Sequence, residues 1–340
     1  MSTTVSDAGI VFNDGSSLPS GNGWFAKGDS TTVAFTKTGA GTVSIKAGTS
    51  VSVFGAPLRF PTTTAVVMPT LTAGTDYAIY GCTDGTLRAD ANFSAPSGYT
   101  TANSRKIGGF HYAPGGNATA QAGGNTTPQI NEYSFWDLKF KPNVIDPRGM
   151  TLVAGGFWSD IYLTGVDAIT NGSSKYNVTM ADGSSPPKVP TMFGGNGSTT
   201  YGSYTWFESM EMATAFGKRC PTQQEFMSLA YGTTEASSIG TDQGSTVLNA
   251  AFTSKWGTVQ STGVLWVLGR DRGGPFAGAS WNANTEGRGS EYNAPNSALF
   301  GADWGYGSDS GSRCSFWGVS ASFSGGGVGS RFVCDHLQLD

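Results

Sequence analysis

Residues 298–340 read ALFGADWGYGSDSGSRCSFWGVSASFSGGGVGSRFVCDHLQLD. The tripeptide Gly-Ser-Arg occurs twice in this stretch, at 311–313 and at 329–331. Around it lie Gly, Ser, Asp and aromatic residues, and long flexible side chains are almost absent. Aromatic rings supply contact area with few torsions to freeze, while Ser, Gly and Asp supply adaptable polar contacts. We therefore expect a rigid scaffold that displays residues 303–328 as a binding surface.

The second Gly-Ser-Arg opens the apolar-rich run 332–337, which predicts a buried closing strand. We interpret Arg313 and Arg331 as structural residues. Each guanidinium is expected to donate in a fork to buried carbonyls or to a carboxylate such as that of Asp335.

The overall composition indicates a folded chain rich in short strands. At 340 residues, it has room for two or three domains. Glycine accounts for 50 residues, about twice its usual share of roughly 7%. Charged residues are 13% and aromatic residues 12%, a balance unlike that of disordered chains. The net charge of −4 comes without a basic stripe, which argues against nucleic acid as a partner.

No apolar stretch approaches the length of a membrane span, so we expect no membrane insertion. The first residues lack the basic and apolar regions of a signal peptide. The Ser- and Thr-rich composition is nevertheless typical of an extracellular surface. Both observations fit a protein made in a cytoplasm that acts outside the cell.

Alternating apolar and polar residues from 25 to about 112 predict an antiparallel β-sandwich, and the Gly-, Asn-, Ala- and Thr-rich residues 113–128 predict a long loop or linker that ends this domain at 128. The pattern is clear at 32–36, 42–46 and 50–54, and Asp84-Gly85 is a strong hairpin signal. The polar, Gly-rich residues 1–24 are expected to be a short arm or a swapped strand.

The second half carries two helix signals among further strands. Thr205 with Glu208, and Thr222 with Glu225, are predicted capping boxes at helix N-termini. Glycines that follow each pattern supply the stops. The apolar run 264–268 predicts a buried central strand, and residues 270–300 are expected to be rich in loops.

Catalytic chemistry has little support in the sequence. His111 and His336 sit beside apolar strand residues, which favours a structural role. There is no nucleophile elbow and no phosphate-binding loop. The four cysteines are widely spaced and are interpreted as free thiols, with a Cys314–Cys334 bridge left open. We therefore predict that the protein is not an enzyme.

Five segments carry a resemblance to a known family. They are AGTDYAIY (73–80), GGFHYAPG (108–115), DPRGMTLVAG (146–155), FTSKWG (252–257) and VCDHL (333–337). From about residue 25 onward, the sequence resembles the major tropism determinants of phages, which are receptor-binding proteins diversified by a retroelement.

The resemblance implies a mainly β fold with a few helices (α+β). A β-sandwich over 25–128 would precede a C-type-lectin-like domain over 129–340, of the variety shared with formylglycine-generating enzymes. The family begins with a longer β-prism, which here would be cut to residues 1–24.

The resemblance also implies partners and a location. The protein would be a homotrimer at the tip of a phage tail fibre, made in the host cytoplasm without a signal peptide. It would contact tail fibre proteins and a bacterial surface receptor, either protein or glycan. No cofactor is implied, although a structural Ca²⁺ or Mg²⁺ ion stays open because Asp303 and Asp309 are candidate acidic ligands.

The family's variable positions, carried over by gapless match, give eleven candidate receptor-binding residues. They are Asp303, Gly305, Gly307, Asp309, Phe316, Gly318, Val319, Phe323, Gly325, Gly327 and Val328. Trp304 and Trp317 fall between them as fixed packing residues, and Tyr306 joins the aromatic candidates. The alternating spacing over 303–309 predicts an extended segment with four side chains on one face.

Two other functions are alternatives to receptor binding. A Ca²⁺-dependent carbohydrate-binding lectin would be expected to carry Glu-Pro-Asn or Trp-Asn-Asp sugar-site motifs, which the sequence lacks. A formylglycine-generating-like oxidase would need Cys314 and Cys334 as a reactive pair, but Cys314 lies within the displayed region.

Overall fold

The computed structural model describes residues 23–274 and 295–339 and the segments 4–6, 9–11, 17–19, 281–283, 288 and 290–292. Strands make up 33% and helices 11% of the part of the chain that the structure describes, so the predicted mainly β chain with few helices is confirmed. The described strands are β1 (Thr4–Ser6), β2 (Gly9–Val11), β3 (Ser17–Pro19), β4 (Phe25–Ala26), β5 (Phe35–Gly39), β6 (Thr42–Ile45), β7 (Thr49–Val53), β8 (Ala56–Phe60), β9 (Thr64–Ala65), β10 (Thr75–Cys82), β11 (Leu87–Asp90), β12 (Ser104–Ala113), β13 (Gln129–Ile130), β14 (Trp136–Asp137), β15 (Phe140–Pro142), β16 (Met150–Val153), β17 (Phe157–Asp160), β18 (Trp266–Gly273), β19 (Trp281–Ala283), β20 (Ser290–Tyr292), β21 (Asn296–Phe300), β22 (Ser315–Val319), β23 (Val328–Gly329) and β24 (Val333–Gln338).

The described α-helices are α1 (Ala168–Asn171), α2 (Trp206–Ala215) and α3 (Gln223–Leu229). Short 3₁₀ turns occupy Glu132–Ser134, Thr191–Phe193, Ala250–Phe252 and Gly307–Asp309. None of the helices in the described ranges has the length and apolar character that crossing a membrane requires.

The chain forms two compact units. The first consists of residues 1–112, 134–141 and 337–340, and the second of residues 113–133 and 142–336. In the first unit, β1, β2 and β3 pair as a small antiparallel sheet. Two further three-stranded sheets have the orders β4-β7-β8 and β5-β6-β9.

Strand β10 is the centre of the main sheet of the first unit, with β11 and β12 paired antiparallel on its two sides. The predicted Asp84-Gly85 hairpin connects β10 to β11. Gly85 has φ 89°, and the Asp84 Oδ1 atom accepts the Thr86 N–H at 3.0 Å. This turn is local chemistry, which is why the sequence predicted it.

Close backbone approach explains the Gly108-Gly109 pair in β12. Gly108 and Gly109 lie opposite Asp137 and Trp136 of β14. A Cβ on Gly108 would lie 2.3 Å from the Phe35 ring and 2.4 Å from the Trp136 carbonyl oxygen. A side chain at this point would therefore open the core of the first unit.

Both predicted capping boxes are present in the second unit. The Thr222 hydroxyl oxygen accepts the Glu225 N–H at 3.2 Å, and the Glu225 carboxylate accepts the Thr222 N–H at 2.9 Å. Thr205 and Glu208 form the same arrangement at the start of α2. Each reciprocal pair satisfies amides that the first helical turn leaves without partners.

The sheet that positions the site has the order β22-β21-β18-β23. Strand β18 is central, antiparallel to β21 and parallel to β23. It begins two residues later than the apolar run 264–268 suggested and extends to Gly273. The expectation of a loop-rich 270–300 is wrong for the residues that β18, β19, β20 and β21 occupy, and residues 296–300 are all buried. Residues 275–280, 284–287, 289 and 293–294 of that range lie outside the described residues.

The predicted closing strand is β24, which begins at Val333. It pairs antiparallel with β17, and β17 pairs with β16. The expectation of a buried strand holds for Val333 and Cys334, whereas Asp335 is exposed. The Trp158 Nε1–H group donates to the His336 Nδ1 atom at 2.9 Å, which agrees with a structural role for that histidine.

Candidate functional site

The two faces of β18 serve different parts of the second unit. Val267 packs into the main hydrophobic core, whereas Trp266 and Leu268 point the other way and join a separate cluster with Leu299 and Val328. The Trp266 N–H donates to the Gly327 carbonyl oxygen at 2.9 Å, and this hydrogen bond holds the chain at Gly327 against β18. The sheet thus presents an apolar floor on this face.

A concave pocket of about 130 Å³ lies on this floor. Its lining consists of Trp266, Leu299, Asp303, Tyr306, Phe316, Val319, Phe323, Gly325, Gly327 and Val328. Seven of these ten residues belong to the eleven candidate positions, and Tyr306 is an eighth residue singled out from the sequence. Chain segments that are distant in sequence therefore bring most of the candidate set to one place.

Aromatic side chains form the wall of the pocket. The Tyr306 ring meets the Trp266 ring edge to face at 5.0 Å between centroids. The centroid of the Phe316 ring lies 6.0 Å from that of the Trp266 ring. Tyr306, Phe316 and Phe323 are exposed at 45%, 42% and 45%. Large apolar side chains clustered at a surface are typical of interaction sites.

Glycines beside the pocket leave room for these rings. A Cβ on Gly318 would lie 2.8 Å from the Phe316 Cζ atom, and a Cβ on Gly325 would lie 3.0 Å from the Phe323 Cζ atom. Both distances are shorter than ordinary van der Waals contact, so a larger residue would displace the ring. The orientation of each phenylalanine thus depends on a neighbouring glycine.

The segment 303–309 is not extended, and the prediction of four side chains on one face is wrong. The Asp303 Oδ1 atom accepts the Gly305 N–H at 2.8 Å, which turns the chain, and Gly307–Asp309 form a 3₁₀ turn. Gly307 has φ 46°, a conformation that favours glycine. Asp303 therefore lines the pocket, whereas Asp309 is exposed outside the lining.

Four candidate positions lie outside the lining of the pocket: Gly305, Gly307, Asp309 and Gly318. Three of them are exposed, and Gly307 is partly buried. Val328 is the one candidate that is buried, because it forms part of the floor beneath the pocket.

The tryptophans between the candidates pack inward. Trp304 and Trp317 are partly buried against the main core of the second unit. The Trp317 ring lies 6.4 Å from the Phe300 ring, and the Trp304 carbonyl oxygen accepts the Ser238 hydroxyl at 2.7 Å. These contacts hold the displayed segment to the scaffold.

The two Gly-Ser-Arg tripeptides differ in their environments. Arg331 is fully buried and donates to the carbonyl oxygens of Asp160 (2.7 Å), Ile161 (2.6 Å), Val259 and Gln260 (3.3 Å). Burial lowers the pKa of Arg331 to about 10.

Arg313 is instead exposed, which differs from its sequence-based interpretation. Its tripeptide is held by Glu235, whose carboxylate accepts the Ser312 N–H at 2.9 Å and the Ser312 hydroxyl at 2.6 Å. Because a distant carboxylate already anchors this turn, the arginine side chain is left on the surface.

Asp303 dominates the electrostatics of the pocket, since the lining contains no other charged residue. Burial raises the pKa of its carboxyl group. Within the described ranges, no three His, Cys, Asp or Glu side chains are grouped so as to hold a metal ion.

The cysteines have the character of structural thiols. All four are free, so the Cys314–Cys334 bridge left open by the sequence is not formed. Burial raises the pKa of Cys314 to about 11 and that of Cys334 to about 12. Thiols with raised pKa values carry little thiolate at neutral pH and are poor nucleophiles, which weighs against oxidase chemistry at this pair.

Comparisons with known proteins show which family the chain belongs to. Residues 33–137 match the family profile described as "Mtd second domain". The chain is 58% identical over 325 residues to the tail fiber receptor-binding protein of Bordetella phage BPP-1, an alignment that covers 93% of this chain and 85% of the relative. The chain belongs to the major tropism determinant family.

Solved structures of major tropism determinants have the same fold. The M1 variant gives a TM-score of 0.92 at 57% identity, covering 93% of this chain and 86% of the variant. The P3c variant gives 0.93 at 55% identity, covering 97% of this chain and 92% of the variant. The names of these relatives describe receptor binding and tropism rather than an enzymatic activity.

Sequence reasoning missed two lining residues, Trp266 and Leu299. Residue 266 was assigned only to a buried strand. The signal that could have found it is the two-residue period of a strand. If Val267 faces the core, then Trp266 must face the opposite side of the sheet, where the displayed segment passes.

Proposed function

We propose that this major tropism determinant is a phage tail-fibre protein that binds a receptor on the bacterial surface through the aromatic pocket described above. The observation that carries the proposal is the convergence of seven candidate variable positions on one pocket of the second unit. Relatives that share over half of the aligned residues are named as receptor-binding proteins and tropism determinants.

The division between floor and wall supports the exchange of side chains at this site. The floor residues Trp266 and Leu299 belong to a packed cluster of the sheet, whereas the side chains of Phe316 and Phe323 are exposed to solvent. Exposed side chains can be exchanged without opening a core. A retroelement that diversifies the exposed candidate positions would therefore alter the recognised surface while the fold persists, whereas exchange of the buried Val328 would change the floor of the pocket.

Several wider features belong to the same proposal. Residues 25–128 would form the β-sandwich, and residues 129–340 a C-type-lectin-like domain. The protein would be a homotrimer at the tail fibre tip of the virion, where three copies convert weak single contacts into avid attachment.

Binding of the purified full chain to host bacteria tests the proposal. Phe316→Ala and Phe323→Ala should each weaken attachment roughly thirtyfold or more, because truncating an anchor residue at an interface costs about 2 kcal/mol or more. Tyr231→Ala is the matched control, since Tyr231 is an aromatic residue of the same unit, exposed at 48%, outside the pocket. Equal binding by all three variants and the wild type would reject the pocket as the receptor site.

A further inference from the structure

The chemistry of the pocket lining is one-sided. Asp303 provides the only charge, and no lysine or arginine lines the pocket. The remaining side chains are aromatic or aliphatic, with two glycines. A ligand that fills this pocket must therefore be largely apolar, with a polar group placed where it meets the single carboxylate.

One oxygen of Asp303 is available to a ligand. The Oδ1 atom accepts the Gly305 N–H at 2.8 Å. The Oδ2 atom lies beside Gly327, where a Cβ would be only 2.4 Å away, and it accepts no hydrogen bond from any residue that the structure describes. A partly buried carboxylate without a counter-charge favours a cationic donor.

The aromatic wall favours the same sign of charge. Trp266, Tyr306, Phe316 and Phe323 all line the pocket. The faces of aromatic rings carry partial negative charge and attract lysine or arginine head groups within about 6 Å. An anionic group would be repelled by the carboxylate and by any ring face that it contacted.

We propose that the pocket binds a cationic side chain, lysine or arginine, of a receptor protein on the host surface. The apolar stem of that side chain packs against Phe316, Val319 and Phe323. Its N–H groups donate to the Asp303 Oδ2 atom while the head group lies against the rings. This inference rests on the proposed receptor-binding function and assigns the chemical class of the receptor contact.

Other occupants fit the lining less well. A neutral sugar could stack on the aromatic rings, but for its many hydroxyls this lining offers only two polar side chains, the Asp303 carboxylate and the Tyr306 hydroxyl. A quaternary ammonium group has no N–H and cannot satisfy the free carboxylate oxygen. Lysine and arginine combine an apolar stem with N–H donors on a cationic head.

Binding of small-molecule probes to the full chain tests the inference by ligand-observed NMR. The probes are the N-acetyl methylamides of arginine, lysine and norleucine, and tetramethylammonium. At least one of the two cationic amides should bind about tenfold tighter than the norleucine amide, as expected for a charge-assisted hydrogen bond. Asp303→Asn should remove that preference, because the amide keeps an acceptor for Gly305 but loses the charge.

Three outcomes would overturn the inference. One is an absence of binding by both cationic amides, or equal binding of the norleucine amide. The second is an unchanged preference in Asp303→Asn, with folding confirmed by its melting temperature. The third is tetramethylammonium binding as tightly as the better cationic amide, which would mean that N–H donation has no part.

Attachment to host bacteria separates this inference from the proposed function. Loss of attachment in both Phe323→Ala and Asp303→Asn supports both. If Phe323→Ala loses attachment while Asp303→Asn attaches fully, the proposed receptor site is supported and the cationic contact is rejected. Full attachment of both variants rejects the receptor site itself.

Discussion

Replacing Arg331 with methionine should strongly destabilise the second unit. The guanidinium is fully buried and donates to four carbonyl oxygens on two separate segments, 160–161 and 259–260. The Asp160 carbonyl also accepts the Ser159 hydroxyl at 3.1 Å, and the Ile161 carbonyl also accepts the Val259 N–H at 2.8 Å. Among the described residues, the variant therefore leaves two carbonyls, those of Val259 and Gln260, without a donor, at a cost of about 1–3 kcal/mol each. Part of this penalty is offset because the variant no longer buries a charge, so we expect a net loss of about 3 kcal/mol.

That loss is large against the usual stability of a folded protein, about 5–15 kcal/mol. Denaturant unfolding followed by tryptophan fluorescence should show the transition of the second unit at a much lower midpoint. Because the chain has two units, the midpoints of separate transitions should be compared rather than one overall free energy.

The chain supplies its own control for this experiment. Arg313 ends an identical Gly-Ser-Arg tripeptide but is exposed, so Arg313→Met should leave the midpoint nearly unchanged. The same small effect from both variants would refute the reasoning that buried carbonyl contacts, rather than the tripeptide itself, matter.

Three further predictions concern the pocket and one hairpin. Gly325→Ala should displace the Phe323 ring, which a crystal structure of the variant would show. It should weaken attachment to host bacteria less than Phe323→Ala does. Asp303→Asn should raise the melting temperature at neutral pH, because burial raises the carboxyl pKa and disfavours its charged form; calorimetry should show the gain vanish as the pH falls through that pKa. Asp84→Asn should lower the melting temperature at neutral pH, since the hydrogen bond from Tyr99 helps to lower the Asp84 pKa to about 2, and the difference should disappear as the pH falls from 3.8 towards 2.

Local signals in the sequence were sufficient for several elements. The capping box at Thr222 and the hairpin at Asp84 each depend on hydrogen bonds between residues no more than three positions apart. Such contacts are encoded by residue type and spacing alone. The closing strand was likewise visible as a short apolar run.

Contacts between distant residues account for what the sequence did not predict. Identical tripeptides differ because Glu235, 77 residues away, binds Ser312, whereas the second tripeptide reaches carbonyls at 160–161 and 259–260. The two-residue period of a strand could show that Trp266 faces away from the core, but pairing with Val328 is what places it under residues 303–328. The prediction for residues 303–309 was wrong because it assumed an extended chain, whereas the chain turns at Asp303.

Hydroxyl-radical footprinting of the full chain on host bacteria tests the central claim most directly. Tyr306, Phe316 and Phe323 are exposed in the free protein and should lose most of their labelling when the protein is attached to cells. Tyr231, exposed elsewhere on the same unit, should be labelled equally in both states. Undiminished labelling of the three pocket residues on attached protein would contradict the account.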